Sequence, residues 1–206
     1  KKLGQGGMGA VYLAQDAELD RSVALKVPHF AASDGPAVLE RFKREARAAA
    51  TLTHPNICPV FDVGEIDGIH YLTMAFIEGK PLTEIVHADK PPTQRAVANV
   101  IRKLALALNE AHQRGVIHRD LKPANIMINL RKEPVIMDFG LARRANKDEA
   151  RITKSGSMLG TPAYMSPEQV SGDIDAMGAG CDIYSLGVIM YELLAGVIPF
   201  EGPLMS

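Results

Sequence analysis

A short polar segment between two apolar stretches concentrates groups that could do chemistry. Residues 116–128 read Val-Ile-His-Arg-Asp-Leu-Lys-Pro-Ala-Asn-Ile-Met-Ile, and they place Asp120, Lys122 and Asn125 within six positions. A carboxylate can accept a proton, an ammonium group can neutralise an anion, and a carboxamide oxygen can bind a hard cation. The alternative interpretation is an ordinary solvated hairpin loop.

A second candidate is Asp138, which follows the apolar stretch 135–137 and opens an Asp-Phe-Gly turn. Asp138 and Asn125 would lie at the ends of two neighbouring short strands. Two oxygen donors in that arrangement suit Mg²⁺, which takes few protein ligands and completes its shell with phosphate oxygens and water. An acidic turn without a ligand is the alternative, because turns of the D-x-G type are common.

The chain opens on a G-x-G-x-x-G pattern. Its members are Gly4, Gln5, Gly6, Gly7, Met8 and Gly9. A dinucleotide-binding fingerprint would lead into a helix, whereas the residues at 10–13 (Ala-Val-Tyr-Leu) favour a strand. A glycine loop between two strands can cover phosphates and donate backbone N–H groups to them. A plain turn is the alternative, since the pattern by itself is weak.

Lys26 and Glu45 form a candidate ion pair. Lys26 lies on a predicted strand, and Glu45 falls within the apolar face of a predicted helix over residues 34–52. A carboxylate that faces apolar surroundings is costly unless a cation meets it, and Lys26 is the natural partner. Alternatively Lys26 is solvated, and Glu45 reaches water or pairs with Arg41 of its own helix.

The elements that must position these groups follow from hydrophobic periodicity and turn residues. The predicted strands cover residues 11–14, 22–27, 60–63, 71–77, 126–128 and 135–137. The predicted helices cover residues 34–52, 93–114 and 182–195, and residues 139–180 read as irregular. Strands come before helices, with the change near residues 79–81, which indicates an α+β fold with two lobes.

Composition narrows the class of protein. The chain has 206 residues, 47% of them hydrophobic and 23% charged, with a net charge of -1. Such a balance gives no electrostatic reason to expect nucleic acid or an anionic membrane as a partner. Two distant cysteines, Cys58 and Cys181, favour a reducing compartment over a disulfide scaffold. No signal peptide is visible, Glu192 interrupts the most apolar run, and both ends read as those of a fragment.

Six motifs in this order resemble the eukaryotic-type (Hanks-type) protein kinases. They are the glycine-rich loop 4–11, the strand lysine in 23–26, Glu45, the catalytic loop 118–125, the Asp-Phe-Gly motif 138–140 and the Ser-Pro-Glu of 166–168. The segments Leu121–Asn125 and Gly160–Tyr164 resemble serine/threonine rather than tyrosine kinases. The segments Gly6–Gly9 and Tyr164–Glu168 are typical of the bacterial branch.

The resemblance implies an N-lobe over residues 1–78, with an antiparallel sheet and the αC helix, and a mainly helical, incomplete C-lobe over residues 79–206. It implies that ATP binds between them, at Leu3, Gly4, Gln5, Gly6, Gly7, Met8, Gly9, Val11, Ala24, Lys26, Met74, Ala75, Ile77 and Met127. Met74 would be the gatekeeper, and the backbone of Ala75 and Ile77 would bond the purine.

The resemblance also implies the catalytic roles. Lys26, held by Glu45, would neutralise the α- and β-phosphates, and Asn125 with Asp138 would hold Mg²⁺. Asp120 would accept the proton of a serine or threonine hydroxyl on a protein substrate, while Lys122 would steady the γ-phosphate. A pseudokinase that acts by interaction and a small-molecule kinase are the alternatives. The intact catalytic residues disfavour the former, and the segments 160–164 and 166–168 disfavour the latter.

The same resemblance implies regulation and location. Arg119 next to Asp120 suggests control by phosphorylation of the activation loop. The candidate sites are Thr153, Ser155 and Ser157, whereas Thr161 would contact the catalytic loop. The arginine that pairs with Glu168 would come from a helix beyond the end of this chain, which would leave Glu168 unpaired. We expect a cytoplasmic domain, with any membrane anchor outside this chain.

Overall fold

A five-stranded antiparallel sheet forms the first part of the chain. The computed structural model describes residues 1–6, 9–30, 35–139, 162–173 and 176–200. The strands are β1 (Lys2–Gly6), β2 (Gly9–Asp16), β3 (Arg21–Pro28), β4 (Val60–Ile66) and β5 (Ile69–Ala75), and their order in the sheet is β1-β2-β3-β5-β4. Lys26 therefore lies on the central strand, β3.

One helix packs beside this sheet. Helix α1 (Pro36–Ala50) lies within the predicted range 34–52 and has a proline at its first position, where the missing N–H costs nothing. Phe42, Ala46 and Ala49 form its buried stripe. Glu45, predicted within that stripe, keeps 18% of its side chain exposed, so its carboxylate lies at the margin of the apolar face.

The second part of the chain combines helices with a small sheet. Its elements are β6 (Gly79–Pro81), α2 (Leu82–Val86), α3 (Gln94–Gln113), β7 (Ile126–Asn129), β8 (Pro134–Ile136), α4 (Pro167–Ser171) and α5 (Ala179–Ala195). Strands β6, β7 and β8 form a three-stranded antiparallel sheet. Helices α3 and α5 share one apolar core, to which both contribute fully buried leucine and isoleucine side chains such as Leu104 and Ile189.

The limits of the long helices follow from local chemistry. The Thr93 hydroxyl accepts a hydrogen bond from the N–H of Ala96 at 3.3 Å and so caps the start of α3. Gly115 follows α3 with φ +72°, and Gly196 follows α5 with φ +76°. A left-handed conformation at that position is the usual place for glycine after a helix. In the described ranges, no helix combines the length and the apolar character that crossing a membrane requires.

A short segment between α1 and β4 ties the two sheets together. The N–H of Cys58 donates to the carbonyl of Ile136 at 2.8 Å, and the N–H of Ile136 donates to the carbonyl of Asn56 at 2.8 Å. The N–H of Ala75 donates to the carbonyl of Pro59 at 2.9 Å. These bonds place the end of β5 beside the end of β8, so the segment that follows β5 lies close to Asp138.

Several elements were not predicted from the sequence. Strands β1 and β6 and helices α2 and α4 are absent from the prediction, and part of the stretch 139–180 is ordered as a 3-10 turn at Pro162–Tyr164 followed by α4. All of these elements have five residues or fewer, and β1 lies in the glycine-rich segment. Hydrophobic periodicity needs a longer window to be visible.

Candidate active site

The polar groups of the 118–125 loop converge on the carboxylate of Asp120. The ammonium group of Lys122 lies 2.8 Å from Asp120 Oδ2. The Asn125 carboxamide donates from Nδ2 to the carbonyl of Asp120 at 2.7 Å and to Oδ2 at 3.1 Å. The side chain of Asp120 is 8% exposed. A carboxylate, an ammonium group and a carboxamide are thus held within one small region.

The backbone before Asp120 adopts a costly conformation that a buried carboxylate stabilises. Arg119 has φ +66°, a left-handed value that is unfavourable for a residue with a side chain. Asp182, near the start of α5, is fully buried. Its Oδ2 accepts the N–H of His118 and its Oδ1 accepts the N–H of Arg119, both at 2.8 Å. His112 Nε2 lies 2.8 Å from the same Oδ2.

The hydrogen bonds determine the charge of Asp182. Burial of the carboxylate opposes ionisation, but the hydrogen bond from His112 and the N–H groups of His118 and Arg119 outweigh it, so the pKa of Asp182 lies below its ordinary value of 3.8. Asp182 is therefore an anion at neutral pH. Two of the donors that stabilise this charge, the N–H groups of His118 and Arg119, belong to the loop that Asp182 supports.

His118 connects this loop to the Asp-Phe-Gly turn. Its ring is fully buried, with Nε2 2.8 Å from the carbonyl of Met137. The ring also meets Phe139 edge to face, with centroids 5.0 Å apart. Asp138, between these two partners, has φ +57°. The position of Asp138 is thus coupled to that of the 118–125 loop.

Lys26 pairs with Asp138, and the predicted ion pair with Glu45 is wrong. Lys26 Nζ lies 2.9 Å from Asp138 Oδ1, and the lysine is 5% exposed. Glu45 Oε1 instead accepts a hydrogen bond from Arg41 Nε at 2.8 Å. Arg41 lies one helical turn before Glu45, a spacing that brings side chains together on any helix. Glu45 therefore pairs with Arg41 of its own helix, and Lys26 pairs with Asp138.

The donor set around Asp138 fits a hard cation. Asp138 Oδ1 is buried and has no hydrogen bond among the described residues, its contact with Lys26 being an ion pair outside hydrogen-bond geometry. The Nδ2 of Asn125 donates to Asp120, and no donor among the described residues bonds to the Asn125 oxygen. The described part of the chain contains no cluster of three or more His, Cys, Asp or Glu side chains with metal-site geometry. Two oxygen donors are what Mg²⁺ takes from a protein when phosphates supply the others.

The glycine-rich segment is a β-hairpin, as the residues after it predicted. Gly6 pairs with Gly9 across β1 and β2, while Gly7 and Met8 lie outside the described residues. Gly9 has φ +129°, and a Cβ there would lie 2.1 Å from the carbonyl oxygen of Val27. A Cβ at Gly4 or Gly6 would meet no atom within 4 Å, so the packing of this chain does not require glycine at those two positions.

An apolar wall lies behind Lys26. Ala24 and Met74 face each other across β3 and β5, and both are nearly fully buried. Val11 and Ile77 pack against the same cluster. The predicted contacts Leu3, 44% exposed, and Met127, half-buried on β7, lie outside it. Gln5 is exposed on β1.

The end of β5 offers backbone groups to a ligand. The N–H of Ala75 donates to the carbonyl of Pro59. The carbonyl of Ala75 remains as an acceptor, and the Cys58 thiol lies 3.4 Å from it. Burial, and then the charge of Asp138, raise the pKa of Cys58 to about 12, so the thiol stays protonated and can donate. Within the described residues the backbone of Ile77 makes no hydrogen bond. The carbonyl of Ala75 and the backbone of Ile77, unbonded among the described residues, therefore line the end of β5.

Two side chains of α5 anchor the segment around Tyr164. The Tyr164 hydroxyl donates to Glu192 Oε2 at 2.7 Å, and the Ser185 hydroxyl donates to the carbonyl of Tyr164 at 2.7 Å. Burial and the Glu192 carboxylate raise the pKa of Tyr164 above its ordinary value. Glu168 makes no ion pair among the described residues, but its Oε1 accepts a hydrogen bond from the thiol of Cys181 at 3.2 Å.

The sequence interpretation missed three polar side chains of this region: Asp182, Gln169 and Glu192. All three are buried. Asp182 and Glu192 are the two acids of the otherwise apolar helix α5, and that isolation is the signal that could have revealed them. Thr153, Ser155, Ser157 and Thr161, together with Gly140, lie outside the described residues.

Comparison with known proteins supports a common origin. The family described as "Protein kinase domain" matches residues 1–204. The serine/threonine-protein kinase PknB of Mycobacterium leprae is 44% identical over 205 residues, and PrkC of Bacillus subtilis is 40% identical over 200 residues. Each alignment covers 97% of this chain but only 32% and 30% of the relative. The chain thus spans about a third of the length of these curated relatives.

Solved structures share the fold. The crystal structure of the Mycobacterium tuberculosis PknI kinase domain superposes with a TM-score of 0.78 at 32% identity, covering 100% of this chain and 76% of that chain. A mutant form of that kinase domain superposes with a TM-score of 0.77 at 31% identity, covering 98% of this chain and 75% of that chain. The predicted two-lobed α+β kinase fold is confirmed, and the chain belongs to the protein kinase family.

Proposed function

We propose that this domain transfers the γ-phosphoryl group of ATP to serine and threonine hydroxyls of proteins. The observation that carries the proposal is the convergence of Lys122 and Asn125 on Asp120, with contacts of 3.1 Å or less. Beside them the Asp-Phe-Gly turn is paired with Lys26. The named serine/threonine kinases to which the chain is similar support the same reaction.

Asp120 would act on the hydroxyl of the substrate. Its carboxylate accepts the hydroxyl proton as the oxygen attacks the γ-phosphorus and the bond to the β-phosphate oxygen breaks. Lys122, 2.8 Å from Asp120, can contact the γ-phosphoryl oxygens from the same loop. Since phosphoryl transfer depends mainly on positioning and charge, the hydrogen bonds that hold residues 118–125 are part of the catalytic apparatus.

The phosphates of ATP would bind between β3 and the Asp-Phe-Gly turn. Lys26 supplies the cation for the α- and β-phosphates, and the open faces of Gly4 and Gly6 let the β1–β2 hairpin approach them. The oxygens of Asn125 and Asp138 would hold Mg²⁺, which supplies charge neutralisation when bound. The role of Glu45 as support for Lys26 is not retained, since Arg41 takes its carboxylate.

The purine would lie against the apolar wall of Ala24, Val11 and Met74. The carbonyl of Ala75 can accept a hydrogen bond from an exocyclic amine. The N–H of Ile77, which makes no hydrogen bond within the described residues, can donate to a ring nitrogen. The site therefore fits a base with an adjacent donor and acceptor, as adenine has.

Phosphorylation would regulate the domain through Arg119. Its Nε is buried and has no hydrogen-bond partner among the described residues. A buried N–H without a partner is costly, and a phosphate is a strong partner for a guanidinium group. A phosphate on Thr153, Ser155 or Ser157 could supply that partner and order the segment around it.

The remaining features of the proposal concern organisation and location. We place the boundary between the two lobes at residue 78, just before β6. Cys58 and Cys181 are both free thiols, in keeping with a reducing, cytoplasmic setting. We do not assign nucleic acid as a partner, and we leave any membrane anchor to segments outside this chain.

Transfer of phosphate from labelled ATP to a generic basic protein, measured with the full-length protein, tests the proposal. We expect Asp120→Asn to lower kcat by at least about a thousandfold while MgATP still binds. The matched control is Asp89→Asn, which removes a carboxylate from an exposed turn and should leave transfer unchanged. Unchanged transfer by Asp120→Asn would exclude Asp120 as the base. Nucleotide binding without transfer by the wild type would identify a pseudokinase.

A further inference from the structure

The carboxamide of Gln169 bridges α4 and the 118–125 loop. Its Nε2 donates to the carbonyl oxygen of Arg119 at 2.7 Å. Its Oε1 accepts the N–H of Ser166 at 3.1 Å and faces the Ser166 hydroxyl at 3.4 Å. Gln169 is 7% exposed. Because both ends of the amide are engaged in a buried setting, its orientation is well determined.

The bond to Arg119 acts on the peptide group that precedes the proposed base. The carbonyl of Arg119 and the N–H of Asp120 belong to one rigid plane. Gln169 holds the oxygen of this plane, and His118 Nδ1 accepts its N–H at 3.3 Å. Arg119 has φ +66°, a strained value that persists only where surrounding contacts hold the backbone. Without those contacts the Arg119–Asp120 peptide could rotate about ψ of Arg119 and φ of Asp120. Such a rotation would turn the Asp120 side chain away from its position.

Two groups from different elements hold the peptides on either side of Arg119. Asp182 of α5 holds the N–H of Arg119 at 2.8 Å, and Gln169 of α4 holds its carbonyl. Among the described residues, Gln169 is the one side chain that joins α4 directly to this loop by a hydrogen bond. The conformation of α4 is therefore communicated to Asp120 through one amide.

We propose that Gln169 is a positioning residue that holds the Arg119–Asp120 peptide in the plane from which Asp120 reaches the substrate hydroxyl. The inference rests on the proposed function, because it concerns the group assigned as the base. Among the described residues, the side chain of Gln169 hydrogen-bonds only to Ser166 and Arg119, and not to the apolar wall or to the pair formed by Lys26 and Asp138. Its loss should thus affect the rate of transfer more than the binding of nucleotide.

The variant Gln169→Glu tests the donor specifically. It keeps the size of the side chain and the acceptor for Ser166, but at about pH 8 it turns a carboxylate oxygen toward the carbonyl of Arg119. We expect kcat to fall roughly tenfold to a hundredfold, and the Kd for MgATP to change by less than about twofold. Protonation restores a donor, so the ratio of variant to wild-type kcat should rise several-fold toward about pH 6.

Two further variants complete the design. Gln169→Leu removes donor and acceptor together, so its kcat ratio should be low at both pH values. The matched control is Gln94→Glu, which introduces the same charge in the exposed first turn of α3 and should behave as wild type. A fall in kcat and MgATP affinity by the same factor, or a Gln169→Glu ratio that ignores pH, would show that Gln169 only stabilises the fold.

Hydrogen–deuterium exchange provides a readout without the reaction. We expect faster exchange over residues 117–122 in Gln169→Leu than in the wild-type protein, because the carbonyl of Arg119 has lost its partner. Unchanged exchange there would overturn the proposal. If the wild type transferred no phosphate, the proposed function would fail, while the exchange experiment would still decide whether Gln169 holds this peptide.

Discussion

Replacing Asp182 by asparagine removes a negative charge that three donors share. In the structure Oδ1 accepts the N–H of Arg119, while Oδ2 accepts the N–H of His118 and the ring of His112, each at 2.8 Å. Asparagine has one oxygen and one NH₂ group. If its oxygen serves the two donors at the Oδ2 position, its NH₂ group must face the N–H of Arg119, and the reverse orientation leaves two donors unsatisfied.

The size of the effect follows from this count. A hydrogen bond to a charged group contributes about 1.5–3 kcal/mol, and a buried donor left without a partner costs about 1–3 kcal/mol. At least one bond of Asp182 is lost and two are weakened, so we expect Asp182→Asn to lower the free energy of unfolding by about 3 kcal/mol. For a chain of this length that corresponds to a fall in Tm of roughly 6–12 °C.

Urea denaturation at neutral pH measures this loss. Asp89→Asn, at an exposed position, is the control and should change the free energy of unfolding by less than about 0.5 kcal/mol. A loss below about 1 kcal/mol for Asp182→Asn would refute the reasoning, because it would mean that the three hydrogen bonds are not made together in solution.

The pH dependence gives an independent check. The pKa of Asp182 is lowered on folding from its ordinary value of 3.8, so the native state favours the ionised carboxylate. Its stabilisation is fully present above pH 3.8 and is lost as the pH falls below that value through the folded pKa. The difference in stability between wild type and Asp182→Asn should therefore shrink in this acid range. A constant difference would contradict the assignment of the charge.

Three more outcomes are expected. Tyr164→Phe leaves the buried carboxylate of Glu192 without its partner and should cost about 1–3 kcal/mol in urea denaturation; no loss would mean that water replaces the hydroxyl. Lys26→Met removes the cation beside Asp138 and should raise the Kd for MgATP at least about tenfold in a fluorescent-nucleotide titration, and an unchanged Kd would place the phosphates elsewhere. With a thiol pKa of about 12, Cys58 should resist iodoacetamide at about pH 8 in the native protein and react after unfolding, and rapid native labelling followed by mass spectrometry would contradict its burial.

The sequence predicted the parts of the site that are close together in the chain. Asp120, Lys122 and Asn125 lie within six residues, so any ordered loop keeps them near one another. It also indicated that Lys26 and Asp138 belong to the same site, because family motifs carry information about distant positions. The partner of Lys26 was wrong, since a glutamate on a helical face has several possible cations and Arg41 lies one turn away.

The supporting residues could not be predicted in the same way. Asp182 lies 63 residues after Arg119, and its isolation in an apolar helix marks it as unusual without showing which backbone groups it meets. Gln169 belongs to a five-residue helix in a stretch that reads as irregular. Periodicity locates apolar faces but does not show which buried polar group meets which backbone group. That pairing emerges only when the chain is folded.

The need for such groups follows from the shape of the 118–125 loop. With Arg119 in a left-handed conformation, the N–H groups of His118 and Arg119 bond to Asp182 rather than to a helix or a strand. Buried N–H and carbonyl groups without partners are costly, so side chains from other elements must supply them. A carboxylate suits the two N–H groups, and the carboxamide of Gln169 suits the carbonyl. The acid within an apolar helix and the amide in a short helix therefore support the strained loop from the two sides of Arg119, and removing either side chain should loosen the backbone at that residue.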